Sequence, residues 1–112
     1  MSEYTAQELN ELAMKIILHA GDCRTLVNEA FQAAKQDEGW DEIQKKLKDA
    51  RKKITEAHRL QTKVLQDTVM NDQPTLTMLF IHAQDTLMTI NSELFLAENT
   101  LELICTKNHK EE

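Results

Sequence analysis

Leu79-Phe80-Ile81-His82-Ala83-Gln84-Asp85-Thr86-Leu87-Met88-Thr89 lies inside an apolar seam formed by Leu76, Phe80, Ala83, Leu87, Ile90, Leu94, Ala97, Leu101 and Ile104. Alternating steps of four and three hold such residues on one side of an α-helix, so the spacing predicts a long packing helix. Into that helix the sequence sets a histidine, His82, and a carboxylate, Asp85, one turn apart. Packing needs neither, and each costs free energy when desolvated without a partner. Their presence points to a task beyond packing.

Two further seams precede this one. Leu9, Ala13, Ile16, Ala20, Cys23, Val27, Ala30 and Ala34 repeat the same steps behind Thr5-Ala6-Gln7-Glu8, which has the form of a capping box. Gly21 falls mid-helix and suggests a bend or a close helix approach. The first helix should end near Gln36, where Asp37-Glu38-Gly39 supplies turn chemistry and Trp40 opens the next helix, packing across the loop. The second seam is Ile43, Leu47, Ala50, Ile54, Ala57, Gln61 and Val64. Asn71-Asp72-Gln73-Pro74 breaks the chain again, with Pro74 in the first turn of the third helix, where proline is tolerated. After Cys105 the chain turns polar, and Thr106 to Glu112 should fray. The predicted fold class is all-α: one domain over residues 1–112, an antiparallel up-down-up three-helix bundle.

Composition agrees and excludes several function classes. Two glycines and one proline in 112 residues are too few turn formers for a hairpin-rich β protein. A net charge of −6 argues against a dedicated nucleic-acid binder. Lys45, Lys46, Lys48, Arg51, Lys52 and Lys53 do form a basic face on the second helix. However, Asp41, Glu42 and Asp49 each stand four residues before a lysine, the favourable order on a solvated helix, and no aromatic is interleaved for base stacking. Two cysteines, Cys23 and Cys105, suit a reducing compartment and read as small apolar fillers. The acidic N-terminal segment is no signal peptide, and no apolar run approaches a membrane span. The expected location is the cytoplasm, without direct membrane insertion.

On a helical wheel, Met78, Ile81, Asp85, Met88, Ser92 and Phe95 form a second row nearly opposite the main seam. One seam closes a bundle within the chain; a second apolar row asks for burial against another subunit. In a cyclic oligomer the Asp85 copies would meet at the axis, where clustered carboxylates raise one another's pKa or recruit a cation. A hard ion with oxygen ligands, such as Mg2+, fits that role. His82 lies between the two rows, flanked by Thr75, Thr86 and Thr89. A neutral imidazole is nucleophilic and forms a covalent phosphoramidate, and neighbouring hydroxyls can hydrogen-bond phosphoryl oxygens. With Pro74 in the first turn, His82 would stand two turns in, beyond the useful reach of the helix dipole.

At these residues the chain resembles the lactose/cellobiose/chitobiose family of IIA components of the bacterial sugar phosphotransferase system. Leu79 to Thr89 is similar to the family pattern His-Ala-Gln-Asp-His-Leu-Met-Thr. The likeness extends to His19-Ala20-Gly21-Asp22-Cys23-Arg24-Thr25 with Glu29 to Lys35, and to Glu56-Ala57-His58-Arg59-Leu60-Gln61-Thr62. The resemblance implies a homotrimer packed as a nine-helix bundle. It implies His82 as phosphoryl acceptor through Nε2, HPr as donor, and a cysteine of the IIB component as the next acceptor, ahead of a sugar entering through IIC. It also implies Asp85 as the ligand of one metal ion per trimer. Thr86 departs from the pattern, which carries a second histidine there; its hydroxyl, with that of Thr89, would support phosphate by hydrogen bonding.

His19 and His58 fall in helices and His109 in the tail, without spacing for a tight metal site. A histidine phosphotransfer domain of two-component signalling is the competing class, but it carries Lys-Gly shortly after its histidine where this chain has Ala83-Gln84-Asp85. A catalytically silent trimeric adaptor is the third.

Overall fold

The computed structural model describes residues 4–71 and 76–110. Three helices account for nearly all of them: α1 (Ala6–Lys35), α2 (Trp40–Met70) and α3 (Met78–Lys110), with no strand among the described residues. The bundle is slender, 60 × 20 × 18 Å along its principal axes.

The capping box at the head of α1 forms as the sequence predicts. Thr5 Oγ1 accepts from the Glu8 N–H at 3.0 Å, and the Thr5 N–H donates to Glu8 Oε1 at 2.9 Å. The helix then runs unbroken through Gly21, where an added Cβ would meet nothing within 4 Å, so no close approach is built there. α1 ends in a Schellman motif: the Glu38 N–H reaches the Ala33 carbonyl at 3.0 Å and the Asp37 N–H the Ala34 carbonyl at 3.1 Å. Asp37 takes the left-handed conformation, φ 58°, that the motif requires. Ala33 is fully buried, while Ala34 is only partly so. The seam predicted Ala34; its neighbour is the more deeply buried, and Ala34 packs partly against the core.

The start of α3 differs from expectation. Thr77 caps the helix, its Oγ1 accepting from the Phe80 N–H at 3.2 Å and its carbonyl from the Ile81 N–H at 3.1 Å. The helix therefore starts at Met78, and Pro74 and Thr75 fall outside the described residues. At the other end the helix continues to Lys110. Leu101 is the last buried residue of its seam; Ile104 is exposed and Cys105 half-buried, because α3 extends past the ends of its neighbours.

Between these ends the three seams close one core. Phe80, Ile16, Leu87, Ile90, Leu94, Ile43, Ile54 and Cys23 are almost wholly buried. Each large side chain so buried stabilises the fold by about 1.5–3 kcal/mol. Trp40 is partly buried against this core at the head of α2. Lys46 and Lys53 do not pair along α2 as their spacing suggested. They reach α1 instead, Lys46 to Glu29 at 3.4 Å and Lys53 to Asp22 at 3.9 Å. These pairs set α1 and α2 antiparallel, whereas Arg24 with Glu93 sets α1 and α3 parallel.

Candidate functional site

His82 is exposed on α3, one turn past the Thr77 cap. That is one turn nearer the helix start than the sequence suggested. Helical side chains lean toward the N-terminus of their own helix, so the imidazole overlies the first turn, where backbone N–H groups carry partial positive charge. A negative group on the ring gains about 0.3–1 kcal/mol from that end of the helix. The late start of α3 thus brings into play a field that a start near Pro74 would have removed.

Around the helix, His82 belongs to the flank that faces α1. Glu93 lies three turns on and about 20° away on the wheel, and it bonds Arg24 of α1. The Arg24–Glu93 offset of 69 residues sets the register and brings Ala13 of α1 level with His82. Met14 and Leu18, both exposed, stand on the outer side of α1 near this level. Thr86 shares the flank, and its Oγ1 donates to the His82 carbonyl at 3.0 Å. A hydroxyl so engaged must turn before it can donate to a phosphoryl oxygen. Thr89 is exposed on the same flank.

The second row also emerges as drawn. Met78, Ile81, Met88 and Phe95 are 86%, 47%, 49% and 59% exposed, and Asp85 and Ser92 between them are exposed too. Within one chain, nothing covers this face among the described residues. No three His, Cys, Asp or Glu side chains gather to hold a metal among the described residues of one chain. Asp85 offers one carboxylate per chain, so a metal held there would need further donors from outside the chain. Three carboxylates about an axis form an all-oxygen donor set of the kind Mg2+ prefers.

The other histidines stand apart from this flank. His19 borders a cavity of about 490 Å3 between α1 and α2, lined also by Leu26, Asp49, Lys52, Lys53 and Glu56; its buried Nδ1 has no hydrogen-bond partner. His58 lies one heptad from Arg51, whose guanidinium bonds Asn91 at 3.2 Å and Glu98 at 2.6 Å, so it occupies the flank of α2 nearest α3, across the helix from His82. The two imidazoles of one chain do not meet. Cys23 is buried and its thiol is pushed up to about 11, chiefly by burial, which leaves it inert at neutral pH. Sequence inspection missed Thr77 and the Arg24–Glu93 pair. The hydroxyl three residues before Phe80 was a capping signal hidden by the more conspicuous Pro74.

Comparison with known proteins gives a consistent picture. Residues 11–105 match the family described as PTS system, lactose/cellobiose specific IIA subunit. The chain is 35% identical over 97 residues to the lichenan-specific phosphotransferase enzyme IIA component of Bacillus subtilis (strain 168), covering 87% of each. It is 32% identical over 84 residues to the N,N'-diacetylchitobiose-specific EIIA component of Escherichia coli (strain K12), covering 75% of this chain and 72% of that one. The crystal structure of the PTS cellobiose-specific enzyme IIA from Bacillus anthracis superposes with a TM-score of 0.81 at 30% identity, covering 98% of this chain and 97% of that one.

Proposed function

The chain belongs to the lactose/cellobiose-specific IIA family of the sugar phosphotransferase system, and on that premise we propose that it is a phosphocarrier working through Nε2 of His82. The neutral imidazole directs its lone pair at the phosphorus carried by HPr. A nitrogen–phosphorus bond forms at Nε2 as the bond to the donor breaks, and that bond's electron pair leaves with HPr. The transfer then runs outward: a cysteine thiolate of the IIB component takes the phosphoryl group, and the electron pair of the nitrogen–phosphorus bond returns to His82.

The position of His82 carries this reading. Its ring is exposed and leans over a helix start that favours negative charge, and nothing of its own chain blocks a protein partner. Thr86 and Thr89 supply hydroxyls on the same flank; Thr86 gives up its bond to the His82 carbonyl when it donates to the phosphoryl oxygens.

The uncovered row of α3 supports a homotrimer in which three such rows meet as the centre of a nine-helix bundle. Asp85 then stands at the axis, and a bound Mg2+ would neutralise three converging carboxylates there. The protein works in the cytoplasm beside the membrane partner, with a β-linked disaccharide of the lactose, cellobiose or chitobiose class as the final acceptor. No helix among the described residues is long and apolar enough to cross a membrane.

Incubation with phosphoenolpyruvate, enzyme I and HPr tests the proposal. The wild type should acquire an acid-labile phosphate and His82→Ala none; an unlabelled wild type would leave only the adaptor.

A further inference from the structure

Among the described residues, two buried polar side-chain atoms have no hydrogen-bond partner, Asn10 Oδ1 and His19 Nδ1. A buried amide oxygen without a partner costs free energy. Leucine at the same place would cost none and would favour the helix more strongly. Packing therefore gives no reason for an amide at position 10, and groups kept against the interest of the fold are most often kept for function. His19 borders the cavity between α1 and α2. Asn10 lies on the other side of α1, toward α3.

Register places this amide beside His82. The row of α1 that carries Arg24 passes back through Ile17, partly buried against the core, to Asn10, two heptads away. The row of α3 that carries Glu93 passes back to His82. These are the two rows that the Arg24–Glu93 pair joins, and its offset of 69 residues sets Asn10 level with Leu79. Leu79 is one turn before His82, and helical side chains lean over the turn that precedes them. Neither the Asn10 nor the His82 side chain makes a hydrogen bond among the described residues. His82 is exposed, so its ring is at liberty to turn about its own side-chain bonds and close the contact. Nδ1 adjoins the ring's point of attachment and so sits closer to the helix surface than Nε2. A neutral imidazole has one proton for two nitrogens, and the hydrogen bond made by one nitrogen decides which of them holds it.

We propose that Asn10 is a positioning residue for the phosphoryl site: its Oδ1 accepts the Nδ1–H of His82 and so keeps the reactive lone pair on Nε2. The inference rests on the phosphocarrier reading and extends it to a residue of α1. As phosphate arrives, the Nε2 pair becomes the nitrogen–phosphorus bond, the donor's bond breaks with its pair left on HPr, and the proton stays on Nδ1. The ring thereby gains positive charge. An amide oxygen against Nδ1–H favours that charged ring over the neutral one, which lowers the barrier as well as selecting the tautomer. When the IIB cysteine takes the phosphoryl group, the pair returns to Nε2 and the charge is lost.

Proton–nitrogen correlation spectra of the imidazole, read beside transfer rates, test it. With His82 neutral, the wild type should hold the proton on Nδ1. Asn10→Leu should shift most of it to Nε2 and slow labelling from phospho-HPr about fivefold, the worth of one net hydrogen bond. Asn10→Asp keeps an acceptor oxygen and should keep the proton on Nδ1. Asn10→Leu should also melt at or above the wild-type temperature, because an unpaired buried oxygen is gone; a slower transfer then owes nothing to a damaged fold. A lower melting temperature would make the amide a structural group and overturn the inference. So would a wild type protonated on Nε2, or an Asn10→Leu variant with an unchanged tautomer or an unchanged rate, each while leaving His82 phosphorylation intact. An unlabelled wild type would instead remove the phosphocarrier reading itself.

Discussion

Arg24 of α1 and Glu93 of α3 are joined by two parallel bonds, Nε to Oε1 and Nη2 to Oε2, each 2.9 Å long. The clamp fixes the register of two parallel helices along the flank that carries His82. Both side chains are about half exposed, so solvent screens much of the attraction. Glu93→Gln should lower stability by less than about 1 kcal/mol, and the loss should shrink further at high salt. Thermal melts at two ionic strengths check this; a salt-independent loss of several kcal/mol would mean that the clamp carries more of the fold than its exposure allows.

Asp85 interrupts a row otherwise made of methionine, isoleucine, serine and phenylalanine, all exposed in one chain. With three copies at an axis, Asp85→Leu removes converging charge and extends the apolar contact. The variant should remain trimeric and melt at an equal or higher temperature. Chelation should lower the melting temperature of the wild type and leave Asp85→Leu unmoved. Monomers of Asp85→Leu in sedimentation would contradict the axial placement.

Thr86 Oγ1 is committed to the His82 carbonyl at 3.0 Å. Thr86→Val keeps the shape and loses the hydroxyl, so it should slow phosphorylation only a few-fold, the effect of about one hydrogen bond. Thr86→His restores the second imidazole of the family pattern and should equal or exceed the wild-type rate. Initial rates of labelling from phospho-HPr measure both; a hundredfold loss in Thr86→Val would make the hydroxyl essential.

Much of this was legible because helices announce themselves by period. The three seams, the capping box, both breaks and the outward row of α3 all follow from spacing, which a packed bundle must obey. The misplacements share another cause. The start of α3 moved to Met78 because Thr77 capped it. Lys46 and Lys53 of α2 took partners on α1 rather than along their own helix. Each is a local hydrogen bond or a tertiary pair, which spacing alone does not encode. At the site, His82 and Asp85 stood out as polar groups in an apolar run. The Thr77 cap and the Arg24–Glu93 pair did not, since one is a local hydrogen bond and the other exists only once α1 and α3 have packed.

Tyr4 ties the N-terminal segment to α2 through a short hydrogen bond from its hydroxyl to Asp67 Oδ2. The phenol is pushed from 10.0 up to about 12, first by burial and then by the bond to Asp67; the carboxyl is held below 3.8, first by the bond from Tyr4. The raised Tyr4 value adds stability that is complete below pH 10.0 and is lost as pH rises through about 12. The depressed Asp67 value adds stability that is present above pH 3.8 and is lost as pH falls through the lower folded value. Tyr4→Phe should flatten the stability profile at both ends. Denaturant midpoints across the pH range test this, and a variant profile that matches wild type would contradict it.

The most direct measurement is peptide mass spectrometry, under conditions that preserve phosphohistidine, of protein charged by phosphoenolpyruvate, enzyme I and HPr. The account predicts one phosphate per chain, on the peptide bearing His82 and lost on acidification. Phosphate on His19, His58 or any other residue, with His82 unmodified, would contradict it.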